Sequence, residues 1–406
     1  MKLATKKDLH LTYCSNIHPG ESWDEVKNNL QQYIPLLKAK LAPSESFGIG
    51  LRLAEIAAQE LLEANNLAEL KAWLKQENLY VFTLNGFPYG SFHHQVVKDK
   101  VYAPDWTKVE RLDYTLKLMQ ILATLMPHDM DGGISTLPLS YKPWWHSSRE
   151  QAKTFYQSSI QLAKVVAKMA AIAQETGKVL HLDLEPEPDG LLENTTEVID
   201  FFQNWLFPVA GNWLQQELAI NQEIAESLII EHIRVCYDTC HFALEYEEPQ
   251  SILERFQQAG IKIGKVQLSS AIKIAIPQER AKRQLIIDKL TPFAESTYLH
   301  QVIAQNSDRC LQRYRDLTTA LPDLLTTTAQ EWRTHFHVPI FIRDYQLFES
   351  TQGHIKQLLK LLPNHFVGHH LEIETYTWEV LPPAMKLDIL TSIEREYQWV
   401  LSTMTD

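Results

Sequence analysis

The 406-residue sequence predicts an α/β fold, a (β/α)8 TIM barrel carrying one insertion. Eight short apolar runs alternate with long amphipathic stretches, the pattern of a parallel sheet covered by helices. Several of those runs also alternate apolar with charged or amide residues. Strands of a doubly wound sheet would be apolar on both faces, so the polar row suits a closed barrel with one face on helices and the other on a wet bore. The length leaves room for eight strand-helix units and extra segments.

In chain order the predicted strands are "LHLTYC" (9–14), "FGIGLR" (47–52), "LYVFTLN" (79–85), "GISTLPL" (133–139), "KVLHLDLE" (178–185), "IRVCYD" (233–238), "KVQLSS" (265–270) and "HLEIET" (370–375). A helix should start after Ser22, where Glu25 completes a capping box, and another should end at Gly177. A last helix, from about 384 to 404, closes the chain. Between the seventh and eighth strands, "STYLHQVIAQ", "LQRYRDL" and "THFHVPIFI" each alternate like antiparallel strands, so residues 273–343 read as an inserted helix and small β sheet over the barrel mouth. The alternative is that "HFHVPIFI" is itself a barrel strand. No linker or repeat divides the rest, which reads as one domain, 1–406.

The formal charge of −12 offers no basic field to a phosphate backbone, so no nucleic-acid partner is expected. The N-terminal stretch lacks the apolar core of a signal peptide and no run is long enough to span a bilayer, so the expectation is a cytoplasmic protein that is not membrane-embedded. Cys14, Cys236, Cys240 and Cys310 are too scattered for a disulfide framework.

The chemistry concentrates at strand ends. In "KVLHLDLEPEPD", strand spacing puts Leu180, Leu182 and Leu184 toward helices and His181, Asp183, Glu185 and Glu187 on the other face. Alternation also sends Arg52, Arg234 and Lys265 into the bore, as partners for Asp183 and Glu372. The carboxyl ends of strands five to eight carry Glu185, Asp238, Gln267 and Glu374, four oxygen donors on one arc. Three gathered carboxylates raise one another's pKa unless a cation sits among them. A hard oxygen set suits Mn²⁺ or Mg²⁺, and Zn²⁺ if a histidine joins. His241, three residues past Asp238, should lie just above the ion, and His335 and His337 form a His-x-His pair read as one face of a strand.

At these positions "LDLEP", "CYDTCH" and "LEIET" resemble the metal-bearing strand ends of the xylose isomerase-like sugar isomerases and epimerases. The resemblance implies metal ligation by Glu185, Asp238 and Glu374 and substrate contact by His241. It departs at strand seven, where that superfamily usually has a histidine and this chain has Gln267, a place that His337 could fill instead. Stretches along nearly the whole chain, among them "TYCSNIHPGESW", "NGFPYGSFHHQVVKDKVYAPDW", "LEPEPDGLLENT" and "HLEIETYTWEVLP", resemble the EboE family of metabolite traffic proteins. Genes of that family cluster with a UbiA-like membrane prenyltransferase, which implies a part in processing or moving a secondary-metabolite precursor.

The loops "NIHPGESW" and "NGFPYGSFHHQVVKDKVYAPDW" add His18, Glu21, Asn85, His93 and Lys98 beside aromatics, as expected for a pocket enclosing a small polar metabolite. The expected chemistry is isomerisation or epimerisation of a hydroxy-carbonyl compound, with Glu185, Glu374 and His241 catalytic, His241 or Glu187 shuttling the proton, and Glu187 and His337 also contacting substrate. A non-catalytic carrier with the same pocket is the alternative reading.

Overall fold

A computed structural model describes residues 1–3, 8–90, 97–294, 297–365, 368–376 and 388–405. The eight expected barrel strands all form: β1 (His10–Tyr13), β2 (Phe47–Arg52), β3 (Leu79–Asn85), β4 (Gly132–Thr136), β5 (Leu180–Leu184), β6 (Ile233–Asp238), β7 (Ile263–Leu268) and, after five strands of the insertion, β13 (His370–Ile373). They pair in parallel in the order β1-β13-β7-β6-β5-β4-β3-β2. Between β1 and β2 the barrel closes on a single bridge, Cys14 to Gly50. The Thr12 hydroxyl reinforces that seam, donating to the Gly48 carbonyl at 3.1 Å and accepting from the Gly50 amide at 2.7 Å.

Leu180, Leu182 and Leu184 pack outward with the helices in one continuous core, while His181 and Asp183 fill the bore. The flanking helices begin and end as their sequences dictate. Ser22 and Glu25 form a reciprocal capping box on the helix Trp23–Leu41, and Ser147 and Glu150 do the same for Ser148–Thr176, which stops where Gly177 turns left-handed at φ 72°. The final helix is Ile389–Thr405.

The bore differs from expectation in its cations. Lys265 pairs with Glu372 at 2.6 Å, both fully buried, and Gly50 lacks the side chain that would meet Glu372. Arg52 instead leaves the barrel for Glu21 and the Gly20 and Gly90 carbonyls, because it sits at the very end of its strand beside two loops. Arg234 lies at the opposite, amino-terminal end, bound to Asp131 at 2.8 Å, and Asp183 bonds His181 rather than an arginine.

The insertion is a five-stranded antiparallel sheet, built from β8 (Ile272–Ala275), β9 (Val302–Gln305), β10 (Leu311–Tyr314), β11 (Glu331–Thr334) and β12 (Glu349–Ser350) in the order β10-β9-β11-β8-β12. Residues 335–342 are neither a barrel strand nor a strand of this sheet. Pro339 lacks a donor for a ladder there, and the segment instead hangs by isolated bonds from His335 to the Gln301 carbonyl and from Val338 to the Ser270 carbonyl. Among the described residues no helix is long and apolar enough to cross a membrane.

Candidate functional site

The carboxyl ends of the strands converge as the alternation predicts. Glu185 follows β5, Asp238 ends β6 and Glu374 follows β13, and one ligand oxygen from each lies within 4.8 Å of the others. All three are buried. Burial, then the charges of Glu374, Asp238 and Glu187, push the Glu185 carboxyl well above the ordinary range. Burial, then Asp238 and Glu372, do the same to Glu374. Lys265, the cation one rung deeper, is committed to Glu372, Ser135 and the Leu84 carbonyl.

Two of these carboxylates are clamped by one oxygen. Asp238 Oδ1 accepts from the Cys240 and His241 amides and from the Ser269 hydroxyl, at 2.7, 3.1 and 2.5 Å, while Oδ2 has no hydrogen-bond partner among the described residues. Glu374 Oε1 accepts from the Asn16 and Asn85 side-chain amides at 2.9 and 2.8 Å, leaving Oε2 to face the His337 ring at 3.8 Å. Glu185 Oε2 is also without a hydrogen-bond partner among the described residues. Gln267 sits beside Asp238 in register. Its Oε1 accepts from the Cys236 thiol at 3.0 Å, and its Nε2 is unpartnered among the described residues.

Histidines form the next layer. His241 and His335 meet through Nε2 atoms at 3.1 Å, His335 Nδ1 is 2.8 Å from Gln301 Oε1, and His337 Nδ1 is 2.8 Å from the Glu374 carbonyl. Burial lowers the pKa of all three rings, so they stand as neutral imidazoles able to ligate or accept a proton. Asp238, His241 and His337 make a second potential ligand set, and Glu187, His241 and His335 a third. Burial raises Glu187 to about 8, so its carboxyl holds a proton near neutral pH.

Above these groups opens a cavity of about 70 Å³. Its polar floor is Glu185, Glu187, His241, His337 and Glu374, and its walls include Phe87, Pro88, Val101, Tyr102, Tyr298, Leu299 and Tyr376. Asn85 lines it, although its amide already serves Glu374 and the Phe87 backbone. Lys98 stands at the rim, 3.1 Å from Asp316. His18 does not join this lining. It bonds the Tyr13 hydroxyl and stacks flat on Tyr33 at 4.2 Å, so an aromatic clasp holds it away from the mouth. His93 lies outside the described residues.

Sequence reasoning overlooked Asn16 and Gln301. Asn16 shares a loop with His18, and only the turn after β1 decides which of them reaches the mouth. The residues present fit a divalent cation: carboxylate oxygens lacking partners, no lysine or arginine bonded to the trio among the described residues, and neutral imidazoles beside them.

No protein-family model and no curated protein matches the chain. Solved structures resemble it in overall path. A xylose isomerase-like TIM barrel protein from Mycobacterium smegmatis in complex with magnesium is 10% identical, with 98% of this chain and 97% of that one covered and a TM-score of 0.49. The IolI protein with a bound zinc atom is 12% identical over 98% of each chain at 0.46. A probable 3-DHS dehydratase, AsbF, from Bacillus anthracis is 10% identical over 98% and 99% at 0.43.

Proposed function

We propose that the chain is a metal-dependent isomerase or epimerase acting on a small hydroxy-carbonyl metabolite. One observation carries this reading: three buried carboxylates, from β5, β6 and β13, converge with no bonded lysine or arginine among the described residues. Glu185, Asp238 and Glu374 would hold Mn²⁺, Mg²⁺ or Zn²⁺, with Gln267 or His337 completing the set. When bound, the ion supplies Lewis acidity toward a carbonyl and its neighbouring hydroxyl.

The chain's own groups do the rest. His241 Nδ1, unpartnered among the described residues and 3.7 Å from Glu185 Oε1, accepts the proton from the carbon beside the carbonyl. Glu187, already protonated and 3.9 Å from His241 Nε2, returns one. Glu185 and Glu374 fix where negative charge is tolerated, Lys98 and His337 contact substrate oxygens, and the aromatic walls exclude water. Replacing Glu185 with Gln and measuring metal content by elemental analysis tests the reading: the bound ion and any turnover should both be lost, and survival of both removes Glu185 from the ligand set.

Gln267 favours a second reading, a carrier that binds its metabolite without turnover, because a neutral amide whose Oε1 accepts from the Cys236 thiol is a weaker ligand than an imidazole at that place. A chain that stays metal-free in millimolar Mn²⁺ yet binds metabolite supports that reading. The resemblance to the EboE family supports the finer assignment: a secondary-metabolite precursor as substrate and a functional link to a membrane prenyltransferase.

A further inference from the structure

We propose that Asp131, His181 and His370 form a second metal site, at the amino-terminal floor of the barrel, suited to a zinc-class cation. Asp131 precedes β4, His181 is the second residue of β5 and His370 the first of β13. The Lys265–Glu372 pair lies between this group and the mouth.

The separations decide between a hydrogen-bonded cluster and a ligand set. His181 Nε2 is 3.5 Å from Asp131 Oδ2, and His370 Nε2 is 3.4 Å from Asp131 Oδ1 and 3.2 Å from the Asp131 carbonyl. Hydrogen bonds to nitrogen run to about 3.2 Å, so the carbonyl contact is one and the two carboxylate contacts are longer; ligation by His370 Nε2 puts the ring proton on Nδ1. Zinc bonds of about 2.0–2.2 Å place tetrahedral ligands about 3.3–3.5 Å apart. Asp131 Oδ1 and His181 Nε2 have no hydrogen-bond partner among the described residues.

The surroundings are those of a built site. His181 Nδ1 is 2.7 Å from Asp183 Oδ1, a carboxylate clasp that fixes the tautomer and turns the Nε2 lone pair toward Asp131. Arg234 and His181 Nε2 both approach Asp131 Oδ2, at 2.8 and 3.5 Å, while Oδ1 faces His370 Nε2 at 3.4 Å. Two glycines clear the space. A β-carbon at Gly133 would sit 2.6 Å from His181 Cε1 and 2.9 Å from His370 Nδ1, and one at Gly264 would sit 1.9 Å from Asp183 Oδ1. Two imidazoles and a carboxylate suit zinc or cobalt better than magnesium. Asp131, 16% exposed where both histidines are fully buried, gives the ion a way in from below and a solvent molecule a fourth position.

Two carboxylates against one guanidinium leave net negative charge, which either a cation or a proton on His181 satisfies. The experiment separates them. The full chain carrying Glu185→Gln and Asp238→Asn is stripped with chelator and titrated with Co²⁺. One equivalent should bind with the intense visible bands of four-coordinate cobalt, and one equivalent of Zn²⁺ should displace it. Adding His370→Gln should abolish those bands, and Asp183→Asn should weaken binding about 10–100-fold. Failure of the mouth-disabled protein to take up any ion overturns the proposal, as do bands unaffected by both further substitutions. If His370→Gln does not fold, Asp183→Asn carries the assignment, since Glu187, His241 and His335 remain at the mouth, and an unchanged affinity in that variant overturns the proposal. Because the mouth is already disabled, failure of the mouth ligand set would show separately, as an unchanged stoichiometry of two.

Discussion

Replacing Lys265 with methionine would leave the Glu372 carboxylate alone in the middle of the barrel. Lys265 Nζ contacts Glu372 Oε2 at 2.6 Å, Ser135 Oγ at 3.1 Å and the Leu84 carbonyl at 3.3 Å. Both side chains are fully buried, and the charge of Glu372 raises the Lys265 pKa despite the desolvation that opposes it. Breaking a buried pair from one side costs about 3–5 kcal/mol, because the remaining charge has lost both water and partner. An unfolding entropy of about 2.1 cal/mol/K per residue over 406 residues turns that loss into a fall in Tm of about 4–6 °C. The double variant Lys265→Met with Glu372→Met removes both charges and should recover to within about 1 kcal/mol of the parent, since a packed apolar pair of similar volume is often neutral. Urea denaturation of the parent, both single variants and the double variant closes the cycle. A single substitution costing under about 1 kcal/mol, or a double as unstable as the singles, would refute the claim that this pair is a mutually dependent plug.

Three further outcomes follow from the mouth and its surroundings. Since Glu185 and Glu374 hold protons above the ordinary range, ion binding at the mouth should release them, so affinity falls as pH drops; calorimetry at pH 7 in buffers of different ionisation enthalpy should count at least one proton released, and zero contradicts the reading. Asn85→Leu removes one of two donors on Glu374 Oε1, freeing that oxygen to ligate, so the Mn²⁺ resonance spectrum should change while the melting temperature moves little; an unchanged spectrum removes Asn85 as a positioning residue. Glu396 is buried against Thr375 at 2.6 Å, and burial raises it from 4.5 to about 8. A raised carboxyl favours the folded state while protonated, so that contribution is full below about pH 4.5 and is lost as pH climbs to 8, at most about 5 kcal/mol at 1.36 kcal/mol per pKa unit. Parent and Glu396→Gln proteins should therefore diverge in urea stability between pH 5.5 and 8.5, and parallel curves would count against it.

The eight barrel strands were legible because each sets leucine, isoleucine or valine against helices and something polar against the bore. The three acids at their ends were legible for the same reason, since alternation fixes the face and the strand end fixes the height. Arg52 was misplaced because alternation stops at a strand's last residue, where the side chain is free to follow a loop. Residues 335–342 alternate as well as any strand, yet Pro339 and isolated contacts hold them as irregular chain, which is how His335 and His337 reach the mouth. β12 is two residues long and leaves no periodic trace. Neither could pairwise contacts between distant segments be read, such as Asn16 and Asn85 meeting on one oxygen of Glu374.

That oxygen lies across the barrel's one weak join. Glu374 and Asn16 belong to the β13 and β1 side of the slit, and Asn85 to the β3 and β2 side, so the hydrogen bond from Asn85 works as a buckle over a gap that Thr12, the Cys14–Gly50 bridge and the Arg52 bonds to Ser15, Gly20 and Glu21 also fasten. Whatever draws Glu374 inward should tighten the cylinder along its length, and amide exchange at Gly50 and Cys14 would slow when the mouth fills.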